Sequence, residues 1–146
     1  MPDPHLQPEL QGAGMAEVTV TATFDMGHRL PHHQGACHSL HGHTYKAEVT
    51  IAGDINTEPM SPSEGMVVDF TSVKTALRAE IAKLDHKFLL HQYDKLAGKM
   101  VDLPGVVLVD FVPTAENIAQ ALLRALPSVS KVKLWETPTS FAEVSR

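Results

Sequence analysis

Residues 24–45 hold six of the nine histidines in the chain and its single cysteine. A histidine in a core must find partners for two ring nitrogens, whereas neutral imidazole is the commonest ligand for zinc. His41-Gly42-His43 puts two imidazoles on the same side of a strand, about 7 Å apart along it, because side chains alternate. Both can turn toward one ion, and Gly42 leaves the opposite side uncrowded. His28 offers a third nitrogen from a neighbouring strand. Three histidines with the fourth position open is the catalytic zinc arrangement; structural zinc is normally closed by four ligands. His32, His33 and His38 fall in the intervening loop and are read as ordinary polar residues.

Cys37 lies in the same loop and has three possible roles. As a fourth ligand it would close the site; as a buried thiol it would be inert. Among cationic groups beside a metal it becomes a thiolate, fit to remove a proton from a metal-activated carbon acid. The last role is the one favoured here. Asp85-His86 marks a helix end, where a histidine suits the helix dipole, and it also offers a carboxylate–imidazole pair. Glu136, if buried, can accept two N–H bonds from a guanidine-like ring edge such as that of a pterin.

The elements that position these groups follow from periodicity. Residues 17–28 alternate, with Val18, Val20, Ala22, Phe24 and Met26 on one side and Thr19, Thr21, Thr23 and Asp25 on the other. That is a strand, and His28 shares its apolar parity. A loop at 29–40 leads to a second strand near 42–52, with Tyr45, Ala47, Val49 and Ile51 inward on the parity of His41 and His43. Asp69 or Thr71 caps a helix to about Leu84, with an apolar stripe of Phe70, Val73, Leu77, Ile81 and Leu84. Residues 87–105 give no clear periodicity, and 106–109 form a short edge strand. Thr114 caps a second helix with a stripe of Ile118, Ala121, Leu122 and Ala125, which Pro127 stops. Strands near 130–136 and 139–144 close the chain around Pro138. The expected fold is α+β: an antiparallel ββααββ sheet with two helices on one face. Parity then gathers His28, His41, His43 and Glu136 at one end of the covered face, with Asp85-His86 beside them.

Composition sets bounds. With 43% hydrophobic and 20% charged residues, the 146-residue chain suits one globular domain, over 15–146, behind a Pro- and Gly-rich tail at 1–14. A formal charge of −5 gives no footprint for nucleic acid. No apolar run approaches the roughly 20 residues of a membrane span, and no secretory signal is evident. One cysteine makes no internal disulfide, in keeping with a cytoplasmic location.

Six motifs occur in order: Phe24-X3-His28-Arg29-Leu30, Cys37-X3-His41-Gly42-His43, Gly65-Met66-Val67-Val68-Asp69-Phe70, Leu84-Asp85-His86, Pro113-Thr114-X-Glu116-Asn117 and Glu136-Thr137. Together they resemble the 6-pyruvoyl-tetrahydropterin synthase / 6-carboxytetrahydropterin synthase family over about residues 18–144. The resemblance implies the T-fold, in which protomers form oligomeric barrels, here a homohexamer built as a dimer of trimers with active sites at subunit junctions. It implies that His28, His41 and His43 bind Zn2+ and that Cys37, Asp85 and His86 are catalytic. It further implies that Glu136, Thr114 and Glu116 bind the pterin, with Lys46 and Arg29 near its triphosphate.

Only three residues separate Cys37 from His41, which resembles the carboxy-forming branch of queuosine and other deazapurine synthesis. The expected reaction is a zinc-dependent carbon–carbon lyase step: 7,8-dihydroneopterin triphosphate gives 6-carboxytetrahydropterin, acetaldehyde and triphosphate. The alternative within the family is the 6-pyruvoyl-tetrahydropterin synthase reaction, which loses triphosphate but no carbon. From other classes, a zinc hydrolase or a non-catalytic zinc- or pterin-binding module remain open.

Overall fold

The structure, a computed structural model, describes residues 14–35 and 38–146. The element order is β1 (Met15–His28), β2 (His41–Asp54), α1 (Phe70–Ile81), β3 (Lys87–His91), α2 (Ala97–Met100), β4 (Val106–Val109), α3 (Ala115–Ala125), β5 (Lys131–Thr137) and β6 (Ser140–Ser145). The strands form one sheet in the order β4-β3-β1-β2-β5-β6. Its β1-β2-β5-β6 part is wholly antiparallel and corresponds to the expected ββααββ sheet. β3 and β4 extend it, each parallel to its neighbour, so the complete sheet is mixed. β3 escapes periodicity because Leu89 and Leu90 are both fully buried. A five-residue strand covered on both faces reads as an apolar run, not as an alternation.

The core lies between the sheet and the helices. Val20, Phe24 and Met26 of β1, Tyr45, Ala47 and Val49 of β2, and Val132 and Leu134 of β5 are all buried. Against them pack Val73, Leu77 and Ile81 of α1 and Ile118, Ala119, Leu122 and Leu123 of α3. Phe24 stands opposite Tyr45 in the register, and their rings stack with centroids 5.2 Å apart. Asp69 is the cap of α1, its side chain accepting from the Thr71 amide at 2.8 Å. Thr114 caps α3, accepting from the Asn117 amide at 3.2 Å. Two stripe assignments change. Phe70 is 53% exposed, since it opens α1 before the helix reaches the sheet, and Ala125 is exposed where α3 ends. Among the described residues no helix is long and apolar enough to cross a membrane.

Candidate metal centre and active site

The β1–β2 register makes the candidate metal centre. His28 pairs directly with His41 and Met26 with His43, so all three imidazoles leave the sheet on the core side at one end. Their ring centroids lie 4.5, 5.2 and 5.0 Å apart, and one nitrogen from each falls within 4.8 Å of the others. Gly42 faces Gly27 across the ladder. A side chain there would meet the Met26 carbonyl at 3.0 Å, so glycine permits the close approach that holds the two histidine strands in register.

Two of the rings are oriented by carbonyls. His28 Nδ1 donates to the Pro113 carbonyl at 2.7 Å, and His41 Nδ1 donates to the Ser39 carbonyl at 2.8 Å. With each Nδ1 carrying its proton, the two Nε2 atoms present lone pairs to each other only 3.0 Å apart. That arrangement is repulsive in neutral rings and is relieved by a cation between them. Two nitrogens on one tetrahedral zinc lie about 3.3 Å apart, from bonds of about 2.0–2.1 Å. Among the described residues His43 Nε2 is buried without a hydrogen bond, 3.5 Å from Glu136 Oε1. Burial holds the His28 pKa below its usual value, although the Pro113 carbonyl and Glu136 pull it upward. The ring is thus kept in the form that binds metal. The donor set fits a zinc ion.

Other expected site residues divide into those the chain brings to the trio and those it does not. Glu136 reaches the trio, and it shares a cavity of about 420 Å³ with Glu116, Ser140 and Phe141. Asp85 and His86 gather instead around Asp25, whose side chain accepts from Thr44 at 2.5 Å on the face opposite His43. Within one chain, then, the carboxylate–imidazole pair clusters with Asp25 and not with the three histidines, although His86 and His43 both line one cavity of about 490 Å³ with Gly27, Gly42 and Thr44. β3 docks alongside β1, and the turn before it sets the His86 amide against the Asp25 carbonyl at 2.7 Å. The pair itself is well formed: His86 Nδ1 is 3.0 Å from Asp85 Oδ1, which also accepts from the Asp25 amide at 3.0 Å. That amide bond, with His86 nearby, holds the Asp85 carboxyl below the usual carboxylate range. His86 has φ +60, a conformation rare outside glycine and concentrated at functional sites.

Lys46 lies on the outer face, 3.7 Å from Glu48 and over the Trp135 ring, lining a cavity of about 440 Å³ with Thr23, Thr44 and Glu136. Arg29 departs from expectation. It is 5% exposed, ion-paired with Asp94, and its Nε donates to the His38 carbonyl at 2.7 Å. A guanidinium so occupied is no free cation for a triphosphate. Thr114 is committed to its cap, and Cys37 lies outside the described residues. Sequence reasoning missed the Pro113 and Ser39 carbonyls, the Asp25 amide and Asp94. Backbone groups leave no trace in residue types, and Asp94 sits in the segment without periodicity.

A mixed sheet with two helices on one face and a histidine trio at its end defines a class. The family model for 6-pyruvoyl tetrahydropterin synthase matches residues 17–146, and the chain belongs to that family. Solved 6-pyruvoyl tetrahydropterin synthases share the fold. The protein from Caenorhabditis elegans superposes with TM-score 0.67 at 22% identity, covering 92% of this chain and 97% of that one. The one from Plasmodium vivax gives 0.71 at 23%, covering 91% and 98%. Among relatives in sequence are two proteins named 6-carboxy-5,6,7,8-tetrahydropterin synthase. The one from Haemophilus influenzae is 36% identical over 88% of this chain and 98% of its own length. The one from Rickettsia bellii is 38% identical over 89% and 100%. Such coverage makes this chain an enzyme of the tetrahydropterin synthase type.

Proposed function

We propose that the chain is a zinc-dependent 6-carboxy-5,6,7,8-tetrahydropterin synthase. It would convert 7,8-dihydroneopterin triphosphate and one water to 6-carboxytetrahydropterin, acetaldehyde and triphosphate, for queuosine or related 7-deazapurine synthesis. The observation that carries the reading is the face-to-face pair of lone pairs on His28 and His41, beside a His43 nitrogen that finds no hydrogen bond among the described residues. The choice of product rests on relatives of that name along nearly the whole chain, and on the three-residue gap from Cys37 to His41.

His28, His41 and His43 would hold the zinc, which supplies Lewis acidity toward side-chain oxygens of the substrate. Glu136 accepts two N–H bonds from the pterin edge, fixing the ring so that its side chain lies at the trio. Cys37 thiolate removes a proton from the side-chain carbon on one face. His86, oriented by Asp85, moves protons on the other face as triphosphate leaves and the carbon–carbon bond breaks. Asp85-His86 clusters with Asp25 and not with the trio, so the reading includes a homo-oligomer, a dimer of trimers, in which one protomer supplies the pair to another. The outer strands β4 and β6 are the edges available for that assembly.

Mass spectrometry of the product after incubation with 7,8-dihydroneopterin triphosphate tests the reaction. Loss of two carbons with acetaldehyde is expected. A product retaining all its carbons would replace this reading with the pyruvoyl-forming one, and absence of turnover would leave a binding module.

A further inference from the structure

We propose that the buried Arg29–Asp94 ion pair is a positioning device for His41, acting through the carbonyls of the loop before it. The inference rests on the zinc-site reading above. Arg29 follows His28 at the end of β1, and its guanidinium does two things at once. One terminal nitrogen pairs with Asp94, while Nε donates to the His38 carbonyl at 2.7 Å. The next carbonyl along, that of Ser39, receives His41 Nδ1–H at 2.8 Å. Fixing the His38 peptide fixes the turn that presents Ser39, and Ser39 selects the tautomer leaving His41 Nε2 bare toward His28. Outer partners of this kind set ring orientation and ligand basicity.

Asp94 is itself immobilised. Its Oδ1 also accepts from the Leu96 amide at 2.8 Å, its own amide donates to the His91 carbonyl, and the Ala97 amide closes on its carbonyl at 2.9 Å. This gives a role to the stretch after β3 that carries no periodicity. Stability is a poor reason for the pair. Both side chains are almost fully buried, and Asp94 Oδ2 is buried without a hydrogen-bond partner among the described residues. Apolar residues of similar volume would cost less desolvation. What they could not do is hold a carbonyl in place with a rigid planar fork, nor could lysine, whose single ammonium has no such fork.

The test uses Arg29→Lys, with the doubly apolar Arg29→Met/Asp94→Leu as a variant that leaves no unpaired buried charge. In the metal-free protein, 15N-correlated NMR of the imidazoles should show His41 as the Nδ1–H tautomer in the wild type and a mixture in either variant. Zinc affinity, by competition with a chromophoric chelator, should fall about tenfold or more. In a His41→Ala background the same Arg29→Lys change should alter affinity less than about twofold, because its effect passes through His41. An unchanged tautomer or unchanged affinity overturns the proposal, as does an equal loss in the His41→Ala background. A wild type that binds no zinc sinks the metal reading instead, while the tautomer still decides the positioning role.

Discussion

His28 should make the metal-free protein lose stability as pH falls below about 6.5, the ordinary histidine value. The ring is 0% exposed, and burial outweighs the Pro113 hydrogen bond, so its folded-state pKa lies below the unfolded one. Above pH 6.5 both states leave it neutral, and it contributes no slope. Below that, the unfolded chain takes up a proton that the native ring refuses. Stability then falls by up to about 1.4 kcal/mol per pH unit, until pH passes the folded value. His28→Asn keeps an N–H donor at the position of Nδ1, within reach of Pro113, but does not titrate. At pH 7.5 it should cost about 1 kcal/mol, for an imperfect replacement of one hydrogen bond. Between pH 6.5 and 5.5 its stability should fall less steeply than that of the wild type by about one proton's worth. Urea unfolding with chelator present, at one fixed protein concentration and several pH values, measures both slopes. Parallel slopes would refute the reasoning, because they would mean that the native ring is protonated as readily as the unfolded one.

Other outcomes follow from the same geometry. Cys37→Ala should abolish turnover while zinc content, by elemental analysis, stays at the wild-type level; normal activity would remove the assigned base. Glu136→Gln removes one of the two charge-assisted bonds, each worth about 1.5–3 kcal/mol, so KM for the pterin should rise by about 10- to 150-fold. An unchanged KM would place the pterin elsewhere. Asp85→Asn should lower kcat by about 100-fold or more without weakening zinc, since the pair clusters with Asp25 and not with the trio in its own chain. Gly42→Val adds a side chain 3.0 Å from the Met26 carbonyl and should cost about 1–3 kcal/mol in urea unfolding. Wild-type stability in that variant would mean the two strands can separate there freely.

Period-two and helical patterns carried the four antiparallel strands of the sheet, both long helices and their caps at Asp69 and Thr114, because alternation and capping are local properties of the chain. They also carried the parity that puts His28, His41 and His43 on one side. What they could not carry was anything set by neighbours distant in sequence. β3 and β4 pair in parallel through connections that no short window contains, and this docking groups Asp85-His86 with Asp25 and not with the trio. Arg29 looked like a free cation until Asp94, 65 residues onward, was seen to occupy it. Residue types alone determined which groups could do the chemistry. Tertiary structure decided which of them meet, because burial and hydrogen-bond partners are relations between segments.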